Sequence, residues 1–254
     1  MPAIAALLEP RAVIALRRTI PKGGPSVVTC ISTSAILRLA ERRLMDAVVI
    51  APQPALLPQL IQLRAQLPRV PLVAYAPFRA DDGALLLACR ETASLVAVEG
   101  VDDPIVGELV SRSSISAERR VALAEAPRIL RLTEPLQRSA WDVLLGEVER
   151  PLRTTVLARR LRISREHLSR QFGAGGAPNL KRVIDLTRVA CAAQLLANPG
   201  YSVPIVVRVL HFASAGHLAN TTRRIANVLP QGLGALGPRG VLAAFARGNT
   251  RSRR

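Results

Sequence analysis

From residue 26 onward the chain alternates short apolar runs with stretches of helical spacing. "SVVTCIS" (26–32), "DAVVIA" (46–51), "VPLVAYA" (70–76) and "SLVAVEG" (94–100) carry almost no internal polar alternation. That pattern predicts strands buried on both faces. Between them, "SAILRLAERRL" (34–44) sets Ile36, Leu37, Leu39 and Leu44 among charges, as a surface helix does. "ALLPQLIQLRAQL" (55–67), "DDGALLLACRETA" (81–93) and "DPIVGELVSR" (103–112) supply three further helices. Strands and helices in this alternation predict a parallel sheet covered on both sides.

The pattern then changes. Residues 112–134 are rich in serine and charge, with Pro127 inside and Pro135 just beyond, and read as a partly helical linker. Beyond it only helical spacing remains. In "RTTVLARRLRISREHLSRQF" (153–172), Thr154 and Thr155 suit a helix N-cap, and Val156, Leu157 and Leu161 form a stripe around small Ala158. A break at "RLRI" precedes Ser164, a second N-cap residue. On the helix it starts, Leu168 and Phe172 face inward together. At about 100° per residue, Arg165, Glu166, Ser169 and Arg170 cover an outer arc of roughly 140°. Helix, tight turn and polar second helix together describe a helix-turn-helix. Trp141, in "SAWDVLLGEV" (139–148), is the expected anchor of the first helix in this half. The sequence thus divides into an α/β domain (1–111), a linker (112–134), an all-α domain (135–237) and a basic, disordered tail (238–254).

Charge sharpens this division. The 254 residues carry a formal charge of +17. Residues 1–125 hold 14 Lys/Arg against 12 Asp/Glu, whereas residues 126–254 hold 21 against 6. A genome-wide bias toward arginine codons would load both halves alike, so the asymmetry points to a polyanionic partner for the second half. Cys30, Cys89 and Cys191 are odd in number and lack a CxxC pair, which suits a reducing compartment. Cys89 and Cys191 sit in apolar helical patterns and read as core residues. No run reaches the roughly 18 apolar residues of a membrane span. "MPAIAALLEP" has no basic leader and stops at Pro10, so it does not read as a signal peptide. A cytoplasmic protein without membrane contact is expected.

Catalytic chemistry finds little support. His167, His211 and His217 have no cysteine or carboxylate at metal-ligand spacing, and surface or packing roles are favoured. The pairs Asp81–Asp82 and Asp102–Asp103 each precede a predicted helix, where capping is favoured over metal binding. "GAGGAP" (173–178) lacks a following GK[ST] and joins helix to helix, so it is no phosphate loop. Neither a cofactor nor a metal is expected, and no nucleophile, base and metal assemble into an enzyme.

Two resemblances give these elements a context. The strand and helix order resembles the back portion of a response-regulator receiver, a flavodoxin-like fold. "SVVTCIS" then falls at that family's second strand, and "RAVIALRRTI" (11–20) is left as a cramped remnant of the first strand and helix. The phospho-accepting aspartate is replaced by Ala51 or Pro52, the Thr/Ser by Ala76, and the lysine by Glu99 or Gly100. The resemblance therefore implies a scaffold or homodimerisation domain that cannot be phosphorylated.

Residues 154–230 resemble the DNA-binding domain of AraC/XylS-type transcriptional regulators. Ala158, Leu161, Ser164, Leu168, Arg170 and Phe172 match its first helix-turn-helix. "NLKRVIDLTRVACAAQLLAN" (179–198) matches its long central helix through Arg188, Ala192, Leu195 and Leu196. Ser202, Val206, Phe212, Ser214, His217, Leu218 and Pro230 match the second unit. The resemblance implies sequence-specific binding to double-stranded DNA, with RNA polymerase as a further partner. The carried-over contact set is Ser164, Arg165, Glu166, Ser169 and Arg170 on the first unit. On the second it is Ala215, Gly216, His217, Asn220, Arg223 and Arg224. The second unit departs from the pattern: His211 stands at the turn glycine, Thr222 at a core phenylalanine, and "VPIVVRVL" is β-branched. These departures leave open an alternative, a protein-interaction or sequence-blind nucleic-acid-binding module.

Overall fold

The computed structural model of the chain describes residues 1–251, and the side chains of residues 1–248. It separates into two compact units: Met1–Glu118 together with Asn198–Gly200, and the residues from Arg119 to Ala197 and from Tyr201 onward.

The first unit holds five parallel strands: β1 (Ala3–Leu7), β2 (Ser26–Thr29), β3 (Met45–Ile50), β4 (Leu72–Ala76) and β5 (Leu95–Val98). Their order, β2-β1-β3-β4-β5, is the flavodoxin-like arrangement. The crossovers carry α1 (Pro10–Thr19), α2 (Thr33–Ala40), α3 (Leu57–Gln66) and α4 (Gly83–Thr92), with α5 (Val106–Arg112) after the last strand. Met45, Ala47, Val49, Ile50, Val73 and Tyr75 are fully buried. Strands covered on both faces need no polar alternation, as the sequence suggested. Gly107 on α5 lies so close to α1 that an added Cβ would meet the backbone of Thr19 and Ile20 at 2.4 Å.

One strand escaped the sequence pattern. The "RAVIALRRTI" segment is not a cramped remnant of strand and helix: helix α1 runs through it from Pro10, and β1 lies earlier, at "AIAAL". Alanine is a poor strand former, so propensity does not mark this run. Its central place in the sheet selects small side chains instead, and Ala3, Ile4, Ala5 and Ala6 have no exposed surface.

The aspartate pairs meet the capping expectation in part. Asp82 Oδ2 accepts from Arg79 N–H at 2.8 Å, capping the short 3-10 turn Ala80–Asp82 that leads into α4, although it makes no cap bond to α4 itself. Asp102 Oδ2 accepts from Val98 N–H at 2.6 Å, and Asp103 Oδ1 from Gly100 N–H at 2.7 Å and from the Tyr75 hydroxyl. The N-cap of α5 is Ile105, so this pair ties down the loop after β5 rather than capping the helix.

The second unit is helical. The expected linker forms α6 (Ile115–Ala122) and α7 (Ala126–Ile129), and α8 (Pro135–Gly146) follows with Trp141 buried. Then come α9 (Thr154–Arg160), α10 (Arg165–Phe172), α11 (Leu180–Leu196), α12 (Val203–Val209), α13 (Ala215–Ala226) and α14 (Pro230–Arg251). The expected disordered tail is therefore helical to Arg251, with Val241, Leu242 and Phe245 buried; its last three residues lie outside the described ones. Gly237, at φ 59°, and Pro238 kink α14. Close approach to α11 is possible because Gly234 lacks a Cβ, which would sit 2.5 Å from the Leu196 carbonyl oxygen. Cys30, Cys89 and Cys191 are buried and not joined in disulfides. Among the described residues no helix is long and apolar enough to cross a membrane.

Candidate nucleic-acid interface

In the first helix pair, α9 ends in a left-handed turn. Arg162 has φ 57°, and Ile163 N–H reaches back to the Ala158 carbonyl at 3.0 Å. This six-to-one bond satisfies a carbonyl at the end of α9 and redirects the chain. Ser164 then caps α10 as expected, its Oγ accepting from His167 N–H at 3.1 Å. The cap expected for α9 differs: Arg153 occupies the N-cap with no side-chain bond, and Thr154 and Thr155 lie inside the helix. Val156, expected in the apolar stripe, is 37% exposed. Leu157, Ala158, Leu168 and Phe172 are buried, which leaves Arg165, Glu166, His167, Ser169 and Arg170 exposed along α10.

Behind α10 lies a residue the sequence reading missed. Gln137 on α8 is fully buried, and its Nε2 donates to the carbonyls of Phe172 at 2.9 Å and Ala174 at 3.0 Å. It thereby satisfies carbonyl groups left free where α10 ends. The chain next passes through "GAGGAP", where Gly175 (φ 66°) and Gly176 (φ 78°) take left-handed conformations, and Asn179 caps α11 by accepting from Arg182 N–H at 2.9 Å.

The second pair repeats the first. His211 has φ 51°, Phe212 N–H reaches the Val207 carbonyl at 2.9 Å, and Ser214 Oγ accepts from His217 N–H at 3.0 Å. Arg162 and His211 are 49 residues apart, as are Ile163 and Phe212; Ser164 and Ser214 are 50 apart, as are Leu168 and Leu218. Helix α12 forms despite its β-branched run, with Val206 and Val209 buried. Tertiary burial overrides propensity here. Thr222, at the place of an expected core phenylalanine, is fully buried and turns its hydroxyl to the Ala219 carbonyl at 2.9 Å.

Arg188, on the buried central helix α11, holds this second turn. Its Nη2 donates to the Leu210 carbonyl at 2.8 Å and the His211 carbonyl at 3.3 Å, and its guanidinium lies 3.9 Å from the Phe212 ring centroid. Burial pushes the guanidinium pKa below its usual value, although neighbouring Asp185 favours the charged form. His217 stands edge-on to the opposite partner of that contact, 5.7 Å from Phe212 between centroids. Asp185 is buried and accepts from Arg224 Nη2 at 2.6 Å. Burial raises its carboxyl pKa, against the opposing pull of Arg224, Arg188, Lys181 and His217.

The residues carried over for the second unit fall on α13, with Ala215, Gly216, His217, Asn220, Arg223 and Arg224 all exposed. Only Arg223 offers an uncommitted charge, because Arg224 is paired with Asp185 and His217 packs on Phe212. Helix α10 is the richer surface. The 17 residues of α11 that separate the two pairs span about 26 Å at 1.5 Å per residue. Among the described residues, no cluster of three or more His, Cys, Asp or Glu is placed to hold a metal ion.

No protein-family model matches the chain, and neither does any curated protein. Among solved structures, full-length FixJ from B. japonicum aligns over 87% of this chain and 95% of its own length, with 14% sequence identity and a TM-score of 0.37. A likeness at that level assigns neither fold nor function, and the sheet order and the repeated helix pair stand on their own geometry.

Proposed function

We propose that the helical unit binds double-stranded DNA by sequence, through two helix-turn-helix units, and that the protein is a cytoplasmic transcription regulator rather than an enzyme. The observation that carries this reading is the duplication: helix, left-handed turn, serine-capped helix, repeated at a spacing of 49–50 residues. In each copy the second helix turns a leucine inward and its polar side outward, as a helix entering the major groove requires. A spacer of about 26 Å suits two such helices on one face of a duplex, where grooves recur about every 34 Å. The charge excess of residues 126–254 supplies phosphate neutralisation, and Arg165 and Arg170 supply groups able to pair with guanine edges. This extends the AraC/XylS resemblance of residues 154–230. A homodimer formed through the sheet-bearing unit and a contact with RNA polymerase belong to the same reading.

The weakly charged face of α13 favours a division of labour. On this reading α10 reads bases, while α13 positions the protein through Arg223. The test is selection of duplexes from a random pool, followed by competition between the selected and a scrambled duplex at physiological salt. Preference for the selected duplex by at least 10³ is expected of a specific regulator. Equal affinities that fall together with salt would instead support the sequence-blind module.

A further inference from the structure

The sheet-bearing unit carries a crevice of about 920 Å³ at the carboxyl ends of its strands. It opens where the connection from β1 runs to one side of the sheet and that from β2 crosses to the other. In open α/β sheets this switch point is where ligands bind, and the volume lies in the range of small-molecule sites. The segments lining it follow β1, β3, β4 and β5 in turn, and backbone bonds hold the mouth. Ala51 N–H donates to the Leu7 carbonyl at 2.9 Å, and Glu99 N–H to the Ala76 carbonyl at 2.9 Å.

The lining has a particular chemistry. Pro10, Pro52, Pro54, Pro77, Phe78 and Leu85 give apolar walls. Against them stand two cations, Arg11 and Arg79, and two carboxylates, Glu9 and Glu99. Glu9, Arg11 and Arg79 are exposed at the mouth and Glu99 is half-buried; none of the four has an ion-pair partner among the described residues, and Glu9 makes no capping bond at the start of α1. Asp82, the remaining acid of the lining, is occupied by Arg79 N–H.

We propose that this crevice binds a small zwitterionic molecule with an apolar body, of the class of short apolar peptides. A simple anion would meet the two arginines but also the two glutamates. A neutral apolar ligand would cover four charges without pairing them, which is costly. No three acidic or histidine ligands converge here on a metal ion. A ligand with a carboxylate for the arginines, an ammonium for the glutamates and an apolar body for the walls would satisfy both signs of charge and the walls together. This inference is independent of DNA binding.

The experiment is isothermal calorimetry on the full chain with L-leucyl-L-phenylalanine, its N-acetyl form and its C-terminal amide. Saturable binding of the free dipeptide is expected, with each capped form at least tenfold weaker. In an Arg11→Ala/Arg79→Ala variant the amide should bind as well as the free dipeptide; in Glu9→Gln/Glu99→Gln the acetylated form should. The capped ligands on the unaltered protein make the test independent of how the variants fold. No saturable heat with the free dipeptide, or equal affinity for all three ligands, overturns the proposal.

Discussion

Replacing Arg188 by alanine should separate the two helix pairs energetically. The side chain is 5% exposed and makes three contacts at one turn: two hydrogen bonds to the last carbonyls around α12 and a stack on Phe212. A hydrogen bond from a charged donor contributes about 1.5–3 kcal/mol, and a desolvated cation–π contact about 2 kcal/mol. Against these stands the desolvation of the guanidinium, several kcal/mol, which the alanine variant regains. Removal also takes one of the favourable charges away from buried Asp185 and strands carbonyls at the end of α12. Breaking a buried charged contact on one side costs about 3–5 kcal/mol, and the low end applies here because Nε of Arg188 is buried without a partner. We therefore expect a loss of about 3 kcal/mol for Arg188→Ala in urea unfolding. Arg188→Lys should recover less than half of it, since an ammonium can neither fork across two carbonyls nor stack as a plane. Hydrogen exchange gives the location: amides of α12 and of the His211 turn should lose protection while those of α9 and α10, held by Gln137, keep theirs. A loss below about 1 kcal/mol, or exchange spread evenly over both pairs, would refute the assignment of Arg188 as the clamp of the second turn.

Three further outcomes follow from particular contacts. His211→Gly should stabilise the protein by about 0.5–1 kcal/mol in thermal unfolding, because glycine takes φ 51° without the strain a side chain meets there. Gly107→Ala should cost about 3 kcal/mol or more and loosen α5 from α1, as a Cβ 2.4 Å from the Thr19 backbone forces the two helices apart; an unchanged urea midpoint would contradict the close approach. The hydrogen bond from Tyr75 holds Asp103 below the usual carboxylate range, helped by Gly100 N–H, so the folded state binds fewer protons than the unfolded chain as pH falls. Stability from this pair is full above the unfolded value near 3.8 and is lost as pH falls through the depressed folded value. Tyr75→Phe should cost about 1 kcal/mol at pH 7 and flatten that acid limb, which urea titrations from pH 7 to pH 2 would resolve.

How far the sequence carries depends on what each residue answers to. Serine caps are legible because their role is local: Ser164 and Ser214 accept from the third residue onward whatever lies behind them. Strands β2 to β5 are legible because each is a short valine-containing apolar run without polar alternation, set between stretches of helical spacing. Strand β1 is not, since alanines are selected by the space between β2 and β3 rather than by strand propensity. The exposed arc of α10 follows from helical period alone. The clamps Gln137 and Arg188 stay hidden because their partners are main-chain carbonyls 22–37 residues away, which no periodicity marks. A polar residue inside an apolar helix was the available signal for both. Arg224 shows the converse: the AraC/XylS resemblance put it among the DNA contacts, and only the fold brings it to Asp185.

The central claim is that the outer side of α10 meets base edges, and Arg170 tests it most directly. Binding preferences of the unaltered protein and of Arg170→Ala should be measured over a library of every single-base variant of the selected duplex. The account predicts a loss of about 1–3 kcal/mol concentrated at one base position, with preference elsewhere kept. A uniform loss across all sequences, or none, would contradict it.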